Sequence, residues 1–171
     1  SRYEYELNRK EPVYDEAWGK KVWKKSLTKT QVNLSKQKHE NYYKVTHALI
    51  EKLESLFGAS LVYDVHSYNY KRWDRDVPVF NIGAERIDNE KYSKYVENWR
   101  DELGSIELNG INVEAKINDV FFGRGYNLEY ITKNFKNTLV LATEISKYYA
   151  DPLGFVMFVF PWGSHCIGGD F

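Results

Sequence analysis

Two apolar runs, residues 61–66 and 138–145, lack the polar alternation of a strand with one wet face. Continuous runs of this length belong in a sheet covered on both sides, so each is expected to form a central strand. Around them the pattern turns helical. Asn33 or Ser35 can cap a long helix ending at Phe57, with Tyr42, Val45, Leu49, Leu53 and Leu56 as its apolar stripe and Gly58 as its stop. Residues 88–103 predict a second helix, with Tyr92, Tyr95, Val96 and Trp99 inward, and residues 128–135 a third. A short helix is expected over 15–25, where Trp18, Val22 and Trp23 recur at helical spacing. Residues 77–82 read as a short strand whose Pro78 demands an edge or an irregular start. Residues 106–117, split by Asn109-Gly110, read as a hairpin, and Phe122-Gly123-Arg124-Gly125 as a loop. Helices alternating with buried strands make this an α/β chain, a three-layer α/β/α domain around a mixed, largely buried central sheet.

At 171 residues the chain has the size of one domain, spanning 1–171, and is long enough to bury a core. The 24 Lys and Arg balance 24 Asp and Glu, which removes the global field that would draw nucleic acid or an acidic membrane. Lys20-Lys21 and Lys24-Lys25 around Trp18 and Trp23 therefore read as a solvated face. The longest apolar run, 155–160, is too short to span a bilayer, and no signal-peptide pattern opens the chain. Cys166 is the single cysteine, which excludes an internal disulfide and a cysteine-rich zinc cluster and fits a reducing, cytoplasmic compartment. Any metal must then be held by His and carboxylates. The expected partner is a small molecule or a protein, and the 14 Tyr and 5 Trp leave room for an aromatic interface.

Four features carry chemistry. The run 61–66 ends in His66, two residues from Asp64, so both project from one face of the strand. This pair is either a buried hydrogen bond or a metal-binding imidazole with its supporting carboxylate. Glu144 interrupts the second run; its charge must be neutralised, with Lys147 at hand, or its pKa raised, which suits a general acid or base. Arg2, Asn8 and Arg9 can clamp a carboxylate, with surface arginine as the alternative. Arg124, between two glycines, can be held over a pocket. No phosphate-binding glycine pattern and no Gly-x-Ser-x-Gly is present.

Arg2 with Glu6-Leu7-Asn8-Arg9, then residues 62–69, 76–83 and 141–147, together resemble the N-formylglutamate amidohydrolase family in order and spacing over 1–151. That family is similar to zinc carboxypeptidases and aspartoacylase-type deacylases, so the resemblance implies a hydrolase-like, zinc-carboxypeptidase-like fold and a zinc held by two histidines and a glutamate. By it, His66 is the second histidine ligand and Glu144 the general base and acid. Asn8, Arg9 and Arg2 bind the substrate carboxylate or the oxyanion, and the substrate is an N-acyl amino acid, N-formyl-L-glutamate in the namesake. The chain opens within the motif, so two further zinc ligands are expected upstream of Ser1. These 171 residues alone are expected to bind zinc weakly and turn over negligibly. Glu6 stands where the family has Asp, Ala84 where Thr is common, and residues 152–171 form an atypical tail. The alternative is a non-catalytic carboxylate-binding or regulatory protein that has lost the metal site.

Overall fold

The computed structural model describes residues 8–147 apart from Trp18 and Asn109; Arg2 and the tail at 152–171 lie outside the described residues. A mixed sheet is sandwiched by helices in the order β1 (Glu16–Ala17), β2 (Lys20–Lys21), α1 (Lys29–Phe57), β3 (Ser60–Tyr68), β4 (Phe80–Gly83), α2 (Asn89–Gly104), β5 (Ala115–Ile117), α3 (Tyr126–Asn134) and β6 (Thr138–Ser146). The four-stranded sheet runs β3-β6-β4-β5. β3 is parallel to β6, β6 antiparallel to β4, and β4 parallel to β5.

Residues 15–25 do not form the expected helix. Glu16 pairs with Lys21 and Ala17 with Lys20 in a small antiparallel hairpin, and Gly19 between the strands adopts φ +71°. In the opposite direction, the hairpin expected over 106–117 is reduced to one Leu108–Ile111 bridge, and β5 pairs in parallel with β4 instead.

Helix α1 begins several residues before Asn33 because Thr28 and Gln31 form a capping box. The Thr28 hydroxyl accepts from the Gln31 amide at 3.3 Å, and the Gln31 side chain accepts from the Thr28 amide at 2.9 Å. Gly58 ends it at φ +76°. Its buried face is Ser35, His39, Tyr43 and Ile50 rather than the expected stripe: Val45, Leu49 and Leu56 are 68%, 58% and 59% exposed. The aromatic packing of Tyr43 against Tyr126 and Tyr130 of α3 sets this rotation, turning the aliphatic stripe aside. Ile50→Ala should therefore cost about 2–5 kcal/mol in a denaturant titration, and Val45→Ala under about 0.5 kcal/mol. Equal costs would reverse the assignment of faces.

β3 is also not central. It lies at the edge of the sheet among the described residues, and its side chains alternate, with Leu61, Tyr63 and Val65 exposed. β6 carries the continuous burial expected of it because it is paired on both sides. Phe80, Ile82, Leu128, Ile131 and Val140 form the centre of the core. α2 covers one face, where Trp99 Nε1 donates to Thr143 Oγ1 at 3.0 Å and Tyr95 stays outside. α1 and α3 cover the other, where Glu54 accepts from the Thr138 hydroxyl at 2.7 Å. Pro78 precedes β4, which starts two residues later and lies inside the sheet. No helix among the described residues is long and apolar enough to cross a membrane.

Candidate functional site

His66, Glu144 and Asn81 are register partners on β3, β6 and β4, so one row across the sheet places three polar side chains on one face. The row lies near the C-terminal ends of the two parallel strands, where open α/β sheets collect ligands. His66 Nε2 is 2.8 Å from Asp64 Oδ1, which bears out their common face. A carboxylate only accepts, so Nε2–H is the donor in this pair.

Glu144 stands beside this pair, and no hydrogen bond or ion pair reaches its carboxylate among the described residues; Lys147 does not neutralise it. Burial pushes its pKa above the ordinary carboxylate range; His66 opposes the shift and the Asp64 charge adds to it.

Asn8 arrives from the start of the chain. Its side-chain oxygen accepts from the Asn127 amide at 2.9 Å and its carbonyl from the Tyr126 amide at 3.0 Å, so it caps the first turn of α3. Its Nδ2 lies 3.4 Å from His66 Nε2. Gly125, the cap residue of α3, leaves the room: a Cβ there would fall 2.3–2.5 Å from the Asn8 side chain. Gly125→Ala should displace Asn8 and weaken ligand binding about tenfold, the worth of one hydrogen bond. Unchanged affinity in a titration would separate Asn8 from the site.

Arg9 sits with its guanidinium 4.1 Å from the Tyr14 ring centre, and its carbonyl accepts from His39 Nε2 at 2.9 Å. It shares a cleft of about 620 Å³ with Asn8, His66, Glu144, Arg72 and Lys147. Asn8, Arg9, His66 and Glu144, over a hundred residues apart in places, thus converge. Arg124 does not line this cleft; it borders a neighbouring space, and its guanidinium is held by Glu85 at 2.7–2.8 Å. Asn69, Arg72 and Trp73 also line the cleft, though none was given a role of its own. Their available signal was position: they follow immediately on the strand that delivers His66.

Among the described residues no group of three or more His, Cys, Asp or Glu side chains is placed to hold a metal ion. His66 offers one nitrogen, and the described donors do not complete a zinc site. Fold and cleft together define an α/β/α domain with a cationic cleft around a His–carboxylate cluster. Comparison with protein-family models, curated proteins and solved structures finds no match for this chain.

Proposed function

We propose that this domain is the scaffold of a zinc-dependent amidohydrolase that cleaves the amide of an N-acyl amino acid, with N-formyl-L-glutamate as the namesake substrate. The observation that carries the reading is Glu144, a carboxyl of raised pKa beside His66 at the floor of a cleft that also holds Arg9, Arg72 and Lys147. In this reading the fold belongs with the zinc carboxypeptidases and deacylases, and the protein works in the cytoplasm.

His66 would hold zinc through Nδ1, with Asp64 fixing the ring through Nε2–H, while the remaining ligands come from outside the described residues. Zinc, when bound, polarises a carbonyl and acidifies water. Glu144 takes a proton from the attacking water and returns it to the amine nitrogen as the C–N bond breaks. Arg9 and Asn8 bind the substrate carboxylate.

The test is zinc-dependent release of free amine from N-formyl-L-glutamate, assayed with these 171 residues and with the full reading frame that encodes them. Glu144-dependent release in the second and weak, His66-dependent zinc binding in the first are expected. Absence of zinc-dependent release from both forms overturns the reading.

The lack of three metal-binding donors among the described residues favours one second reading, a non-catalytic protein that binds carboxylates through the same cleft. Zinc content of the full product separates the two.

A further inference from the structure

Behind the cationic cleft lies a second chamber of about 330 Å³ that shares Asn8, His66, Phe121 and Glu144 with it. The two spaces therefore meet at the reactive row, and their chemistry differs. The outer one has Arg9, Arg72 and Lys147. The inner one is walled by Val120, Phe121, Phe122, Leu128 and Ala142. Of its charged neighbours, Asp64 is engaged by His66 and Arg124 by Glu85, which leaves Glu144, where the two spaces meet, as its unpaired carboxyl among the described residues.

The sheet makes this space by a change of residue size. On the face of β6 that carries Glu144, Val140 gives way to Ala142, directly below Glu144. α3 closes the roof with Leu128, which is fully buried. The loop at 121–125 closes the side, seated where Gly123 meets Gly83 backbone to backbone. A two-atom formyl group occupies about 60 Å³ at roughly 30 Å³ per water-sized group, so it would leave most of the chamber unfilled.

We propose that the inner chamber is an acyl subsite, and that the substrate is an N-acyl amino acid whose acyl group is an apolar chain of about four to six carbons. The inference rests on the amidohydrolase reading and specifies its substrate. The amide lies across the Glu144 row, the amino acid carboxylate faces Arg9, Arg72 and Lys147, and the acyl chain runs toward Leu128. Burying the chain against Ala142 and Val120 supplies affinity that a formyl group has no surface to provide.

Calorimetric titration of the metal-free chain with N-formyl-, N-butyryl- and N-hexanoyl-L-glutamate tests it. Affinity is expected to rise at least about tenfold from formyl to hexanoyl, well within the roughly fourfold that each buried methylene can contribute. Ala142→Leu and, independently, the loop variant Val120→Phe fill the chamber and should bring the hexanoyl-to-formyl ratio close to one. A flat series in the parent protein, with N-formyl-L-glutamate bound, overturns the acyl subsite and leaves the amidohydrolase reading intact. A tenfold rise that persists in both folded variants also overturns it, because the chain then lies elsewhere. Failure of all three ligands to bind overturns both readings.

Discussion

Asn81→Ala is expected to lower the melting temperature by roughly 10 °C, the largest stability effect of any single polar substitution proposed for this chain. Asn81 is fully buried, and its side-chain oxygen accepts from the amides of Asp119 and Val120 at 3.0 and 2.8 Å, with Phe121 at 3.4 Å. Its Nδ2 donates to the Phe121 carbonyl at 2.7 Å. Removing the side chain leaves these backbone groups without partners, and each buried orphan costs about 1–3 kcal/mol. At 2–4 °C per kcal/mol for a chain of this size, a loss of roughly 3–5 kcal/mol accounts for the shift. Because Phe121 borders both chambers, ligand binding should fall together with stability. A melting temperature within about 2 °C of the parent would show that the loop holds itself.

Glu144→Gln carries the largest expected effect on activity, a fall of about 10²- to 10⁴-fold in the proposed zinc-dependent hydrolysis, because the amide cannot accept the proton from water. The same substitution should stabilise the metal-free protein at neutral pH. Burial raises the folded-state pKa of Glu144 above 4.5, so its protonated form is the one the fold prefers. That preference is fully present below the unfolded pKa and is lost as pH rises through the folded one. Glutamine stays neutral throughout. The variant and parent should thus melt together near pH 4, and the variant should melt higher at pH 7. Full activity in the variant would remove Glu144 from the mechanism; a melting difference that does not change with pH would remove the buried charge.

The elements whose existence depends on local chemistry were legible in the chain. Gly58 at φ +76° stops α1, Asp88 caps α2 by accepting from the Lys91 amide, and the run 138–145 is a strand buried in the sheet. The one capping signal misread, Thr28 with Gln31, was present as a capping box three residues apart. Residues 15–25 were read as a helix where a hairpin stands, and the other failures concern what lies next to what. Val45, Leu49 and Leu56 form a good apolar stripe, yet helix α1 rests on Tyr43 and Ile50 because α3 brings Tyr126 and Tyr130 to that side. Composition cannot say which of two faces finds a partner.

The same division runs through the site. Asp64 and His66 were readable as a pair because two residues along a strand return to one face, and Glu144 because a carboxylate inside an apolar strand needs a reason. Asn8 was readable as polar and near Arg9, but its work on α3 was not, since the Tyr126 and Asn127 amides it caps lie well over a hundred residues away. Local periodicity and the cost of burying charge determined α1, α2, α3, β3, β4, β6 and three of the chemical groups, but not the pairing at 15–25 or 106–117. Tertiary structure alone decided that β3 stands at an edge, that Arg124 is held by Glu85 while Arg72 and Lys147 line the cleft, and that an apolar chamber opens behind Glu144. The physical reason is that neighbours across a sheet, and the space between a strand and a helix, come from register and packing between distant segments, which no local pattern encodes.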